Sequence, residues 1–217
     1  FIGRIHAVGA LAPFVARPAI DIASFGQEPR DFLAGGGFLP RELADVYFGV
    51  VDQALDGVRR CYQRAGAVRM LRLHGDCHAG NVLWVGADET EGNAGNGVAP
   101  PGGGPCFVDF DDARSGPAVQ DLWMLLCGER GEQSRQLADS LAGYEDFCEF
   151  DARELHLVEA LRTLRLIHYA GWLARRWDDP AFPAAFPWFN TQRYWEERIL
   201  ELREQIALMD EAPLWSA

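Results

Sequence analysis

Leu71-Arg-Leu-His-Gly-Asp76-Cys-His-Ala-Gly-Asn81-Val-Leu-Trp84, followed by Phe107-Val-Asp109-Phe-Asp111-Asp112, is the stretch on which the reading of this chain turns. A short apolar run delivers Asp76 into a polar turn, Asn81 lies five positions later, and a further apolar run ends on Asp109. Phosphoryl transfer to a hydroxyl asks little covalent chemistry of a protein: one group handles the hydroxyl proton and oxygen ligands hold a metal. Asp76, in a loop fixed by a strand, has the position of the first. Asn81 and Asp109 offer an amide oxygen and a carboxylate, the hard donors Mg²⁺ favours beside nucleotide phosphates. A polar turn between buried strands is the plainer account, but a turn alone does not need three oxygen-bearing side chains delivered by two strand ends.

Neighbouring residues read as support. His74 is placed to brace the loop backbone. Asp121, near the start of a helix, is either an ordinary first-turn acid or a buried acceptor for that backbone. Asp111 and Asp112 read first as solvated acids in a turn and second as contributors to metal binding, and Arg114 either approaches a phosphate or pairs with one of them. His74, Cys77 and His78 lack a fourth ligand at a zinc spacing. A two-metal phosphoesterase would need further paired histidines, and His6, His156 and His168 form no His-x-His pair. No G-x-S-x-G elbow is present.

Composition narrows the classes. The 217 residues are 48% apolar, as in a soluble globular protein, and no run approaches a membrane span. A net charge of −12 argues against a nucleic-acid partner and leaves cationic substrates open. The five cysteines are scattered among apolar residues, as reduced core cysteines of a cytoplasmic protein are. All 20 basic residues are arginine. Without lysine the chain supplies neither a Schiff base nor the ammonium that grips nucleotide phosphates.

Around the motif, the spacing predicts the end of a helix over 1–8, stopped by Gly9, and loop with at most a short helical turn over 10–40, where four prolines and the Gly35–Gly37 triplet fall. Helix is predicted over 41–64, strands over 68–73, 82–85 and 106–110, and a Gly-rich hairpin extension without chemistry over 86–105. Pro117 opens a helix running to about Cys127, and further helices cover 133–147, 152–177 and 191–209. Residues 178–189, with three prolines and three phenylalanines, read as an ordered aromatic loop. The fold class is α+β, mostly α-helical, with a small catalytic β-hairpin set among helices.

His74-Gly-Asp76-x-x-x-x-Asn81 with a strand-ending Asp109 resembles the signature of the aminoglycoside phosphotransferase and choline kinase-like group, relatives of the protein kinases. More closely, 74–84, 108–126 and 175–183 resemble the bacterial stress response kinase A family, and the similarity runs from Phe1 to about Pro213. The resemblance implies the C-terminal catalytic lobe of such a fold over 1–217, in a cytoplasmic serine/threonine protein kinase that uses ATP and Mg²⁺. It assigns Asp76 as catalytic acid/base, Asn81 and Asp109 as Mg²⁺ ligands, and Asp109 as essential. The family's N-terminal nucleotide-binding lobe, with its phosphate-anchoring lysine, is missing, in keeping with the absence of lysine. The expectation is therefore a monomeric fragment with negligible activity alone, whose parent phosphorylates protein Ser or Thr. A kinase of the same fold acting on a small cationic alcohol, and a non-enzymatic binding module, are the other readings.

Overall fold

The structure, a computed structural model, describes residues 1–86 and 103–214. In chain order these form helix α1 (Ile2–Gly9), a π-helical turn (Ala23–Gln27), helices α2 (Glu28–Gly36) and α3 (Arg41–Ala65), strands β1 (Leu71–Leu73), β2 (Val82–Val85), β3 (Gly104–Phe107) and β4 (Arg114–Gly116), and helices α4 (Val119–Trp123), α5 (Arg130–Tyr144), α6 (Val158–Arg175), α7 (Ala181–Ala185) and α8 (Gln192–Met209). The class is α+β and mostly helical, as expected. The 86–105 extension falls almost wholly outside the described residues. No helix among the described residues is long and apolar enough to cross a membrane. The chain divides into two compact units.

Residues 1–18 with 69–152 make the first unit and hold both sheets. β2 and β3 pair antiparallel, Val82 opposite Phe107 and Val85 opposite Gly104, which is the expected hairpin. β1 pairs with β4, Leu71 opposite Gly116. β4 was not foreseen: Arg-Ser-Gly has no strand signal of its own and is extended because β1 offers it a ladder. The strand expected to reach residue 110 stops at Phe107, since Asp109 adopts a left-handed φ of 63° and Phe110–Asp112 coil into a 3₁₀ turn. The helix expected from Pro117 to about Cys127 is shorter, Val119–Trp123. α5 starts three residues before the expected 133, because Glu129 and Glu132 form a capping box that satisfies two free helix-end N–H groups.

α1 lies against β1 and α5. A Cβ on Gly9 would meet the Arg72 carbonyl oxygen, and one on Gly3 the Tyr144 carbonyl oxygen. Glycine at both positions is what lets the helix come this close.

Residues 19–68 with 153–214 make the second, helical unit. Val50, Val51, Ala54, Leu55, Val58 and Cys61 lie on one buried face of α3 at helical spacing, packed against α6 and α8. Trp195 on α8 is fully buried, edge-on to Tyr47 at 5.1 Å and to Phe189 at 5.7 Å. Such pairs contribute about 0.5–1.5 kcal/mol beyond the area they bury. The segment read as loop over 10–40 contains α2. Pro29 falls in its first turn, where the missing N–H is not needed, Leu33 is buried, and Gly37 closes it at φ 66°. The aromatic segment 178–189 is ordered by ring contacts, Phe186 with Trp188 at 5.7 Å and Trp177 with Phe189 at 4.8 Å, and contains the short α7.

Candidate active site

The antiparallel hairpin brings the start of β2 and the end of β3 to one end, and with them Asn81 and the segment leading to Asp109. The Asn81 carbonyl accepts the Val108 N–H at 3.0 Å, one step beyond the Val82–Phe107 pair. Asn81 Nδ2–H donates to the Asp76 carbonyl at 3.0 Å, and the His78 N–H reaches the same oxygen at 2.9 Å. Asn81 thus joins the backbone of Asp76 to that of Val108, the residue before Asp109.

The turn before Asp76 is held from beneath. Asp121, 1% exposed, accepts the N–H of His74 at 2.8 Å and of Gly75 at 2.9 Å. Asp121 therefore accepts from the loop backbone as well as lying in the first turn of its helix. Gln120 Nε2–H donates to the Gly75 carbonyl at 3.2 Å, so both backbone polar groups of Gly75 are engaged by consecutive α4 side chains. Gly75 has φ 87°, and a Cβ there would meet the Asp112 carbonyl oxygen, so the turn excludes any side chain. His74 is fully buried and donates Nε2–H to the Val108 carbonyl at 2.7 Å, which joins the turn to the strand end that carries Asp109.

His78 Nδ1 accepts the Gly80 N–H at 3.0 Å, which puts the hydrogen of the neutral ring on Nε2. Nε2 lies 3.6 Å from Asp76 Oδ2, too far for a hydrogen bond but close for a charge contact. Arg114 pairs with Asp112 at 3.6 Å, the second of its two sequence readings, and Asp111 and Asp112 are exposed turn acids. Arg17, unforeseen, donates to the Asp111 and Ala113 carbonyls and fastens residues 10–18 to this turn. Also unforeseen were His6 and Tyr144. His6 Nε2 lies 2.9 Å from Asp121 Oδ2 and Nδ1 lies 3.0 Å from Tyr144 Oη. The available signal was the Gly3, His6, Gly9 spacing on a short helix, which marks one closely packed face.

The donor set fits Mg²⁺. Among the described residues nothing donates to Asn81 Oδ1, and the exposed Asp109 carboxylate has neither hydrogen bond nor ion pair. An amide oxygen and a carboxylate of this kind are hard ligands for a cation. Asp109 is held in the left-handed region, which Asp tolerates better than most residues but which still stores strain of the kind found at functional sites.

Cys77, beside Asp76, is fully buried, and burial pushes its thiol well above the ordinary range. Cys127 is exposed. In folded protein treated with iodoacetamide at pH 8, Cys127 is expected to alkylate while Cys77 stays unmodified until denaturant is added, as read by peptide mass spectrometry.

Comparison with known proteins identifies the family. Residues 1–158 match the phosphotransferase enzyme family known as APH. The chain is 42% identical over 214 residues to "Stress response kinase A" of Salmonella choleraesuis and to "Serine/threonine protein kinase RdoA" of Salmonella typhimurium, covering 99% of this chain and 60% of each relative. The corresponding Escherichia coli K12 stress response kinase A is 41% identical over the same length. The chain therefore spans about three fifths of the curated relatives it matches. Among solved structures, a choline/ethanolamine kinase family protein from Mesorhizobium loti aligns with a TM-score of 0.55 at 17% identity, covering 97% of this chain and 62% of that one. A microcompartment-associated aminopropanol kinase aligns with the same score and identity, over 96% of this chain and 60% of that one. At that identity the likeness is one of fold. On the family match and the close relatives, this chain belongs to the phosphotransferase enzyme family.

Proposed function

We propose that this chain carries the acceptor-activating and metal-holding part of a cytoplasmic, monomeric serine/threonine protein kinase of stress response, using ATP as co-substrate and Mg²⁺. The observation that carries the reading is the junction of Asp76, Asn81 and Asp109 through the Asn81 side chain and the Val108 N–H, with Asn81 Oδ1 and the Asp109 carboxylate left for a cation. The names of the relatives at 42% identity support the acceptor class.

In this reading Asp76 orients the acceptor hydroxyl and takes its proton as the phosphoryl group transfers. Asn81 and Asp109 hold Mg²⁺, which supplies charge neutralisation for the phosphates. Asn81 is kept in register by its own bond to the Asp76 carbonyl, so the base and the metal ligand move as one piece. Asp121 and His74 keep the intervening turn rigid from below and from the side. With no lysine in these 217 residues, the lysine that grips nucleotide phosphates has to come from outside this stretch, and the stretch alone is expected to transfer phosphate negligibly.

A second reading is a kinase of a small cationic alcohol. It draws on the net charge of −12 and on the two structural neighbours, titled as choline/ethanolamine and aminopropanol kinases. Full-length protein incubated with [γ-³²P]ATP and Mg²⁺ separates the two. Label on protein serine or threonine supports the first reading and label on choline or an amino alcohol the second. No transfer to any hydroxyl acceptor, with Asp76 intact, leaves the binding module.

A further inference from the structure

Asp121 holds the turn before Asp76, but a carboxylate gripped only by the N–H groups it positions would be free to turn about its own side-chain bonds. It takes one more hydrogen bond, from a residue 115 positions away in sequence, His6. We infer that His6 is a positioning residue of the phosphoryl-transfer loop, acting through Asp121 on the peptides of His74 and Gly75. This rests on the reading of Asp76 as the base.

The chemistry of the link is directional. A carboxylate only accepts, so His6 Nε2 carries the hydrogen that points at Asp121 Oδ2, 2.9 Å away. In the neutral ring Nδ1 is then an acceptor, and it faces the Tyr144 hydroxyl at 3.0 Å. The ring is clamped at both nitrogens, and Tyr144, at the last turn of α5, also packs edge-on against it at 5.5 Å. His6 and Asp121 are 0% and 1% exposed, so no water competes for these bonds.

Helix α1 is built to deliver this side chain. Gly3, His6 and Gly9 recur at a spacing of three and share a face. Gly3 lets the backbone approach Tyr144 and Gly9 lets it approach Arg72 of β1. Any side chain at either glycine would push α1 outward and draw His6 off Asp121. The row Tyr144, His6, Asp121 and the two loop N–H groups is therefore a continuous hydrogen-bonded brace, every step 3.0 Å or less, from α5 to the residues just before Asp76.

Gln120 holds the Gly75 carbonyl independently of His6, and Trp123 Nε1–H donates to Gln120 Oε1 at 3.1 Å. Loss of His6 is thus expected to loosen the N–H side of the turn without releasing it. Misplacing a catalytic group by about 1 Å costs on the order of 10²-fold in rate, so the effect falls on kcat.

The test compares His6→Leu, which fills the space without an N–H, with His6→Gln, which returns an amide N–H, both in the full-length protein. For His6→Leu, kcat is expected to fall about 10- to 100-fold with KM for ATP changed less than about threefold, and the His74 and Gly75 amides to exchange with solvent at least about tenfold faster. His6→Gln is expected to return kcat to within about fivefold of the parent. His6→Leu with kcat and amide exchange both within about twofold of the parent overturns the inference, and so does His6→Gln as impaired as His6→Leu. If His6→Leu does not fold, Tyr144→Phe removes only the hydroxyl behind Nδ1: a kcat loss of about three- to tenfold with faster exchange at 74 and 75 supports the link, and no change in either overturns it. Amide exchange needs no substrate. Should Asp76→Asn keep full activity, the functional reading falls, and exchange at 74 and 75 alone decides whether His6 positions the turn.

Discussion

Asp76→Asn in the full-length protein is expected to lower kcat for phosphoryl transfer by about 10²- to 10⁴-fold, the range a positioned general base supplies. The substitution keeps the size and shape of the side chain and removes its capacity to take a proton. It leaves in place the backbone oxygen that holds the loop: Asn81 Nδ2–H and the His78 N–H both donate to the Asp76 carbonyl. Melting temperature and KM for ATP should therefore stay close to the parent while kcat falls. Steady-state kinetics and a thermal melt check this together, and unchanged kcat with unchanged stability would remove Asp76 from the chemistry.

At Asp109, function and stability should move in opposite directions. Its φ of 63° is a conformation that glycine adopts freely and that costs an alanine about 1–2 kcal/mol. Its carboxylate has no hydrogen bond or ion pair among the described residues, so removing it breaks no polar contact there. Asp109→Gly is expected to reduce transfer by about 10³-fold or more, the equivalent of about 4 kcal/mol of charge stabilisation lost with the metal ligand. Its stability should equal or exceed the parent's. Asp109→Ala should be as inactive as Asp109→Gly and about 1 kcal/mol less stable than it by denaturant unfolding. Equal stability of the glycine and alanine variants would show that the strain at this residue is not intrinsic to its backbone.

The site was legible in the sequence to the extent that its residues are local. The five-residue interval from Asp76 to Asn81 and the apolar run leading to Asp109 are local signals, and the hairpin that joins them follows from two apolar runs. His6 and Tyr144 were not legible. His6 stands 115 residues from Asp121 and 138 from Tyr144, and its role comes from tertiary closeness that only Gly3 and Gly9 hint at. Two elements were lost for different reasons. β4 is three residues, one of them glycine, and owes its extension to β1. α2 was hidden by Pro29, which breaks a helix interior but is at home in a first turn. The shift in the start of α5 is likewise a matter of capping, where Glu129 and Glu132 outweigh the apolar spacing that begins later.

In the proposed function, Asn81 and Asp109 hold the metal beside Asp76. Titration of the full-length protein with Mn²⁺ in place of Mg²⁺, in the presence of a non-hydrolysable ATP analogue and followed by water-proton relaxation, tests it without need of an acceptor. The parent is expected to bind Mn²⁺ with the nucleotide, Asn81→Leu and Asp109→Ala each to weaken that binding by at least about tenfold, and Asp76→Asn to leave it within about threefold. Binding by the Asn81 and Asp109 variants as tight as the parent's would remove both residues from the metal site.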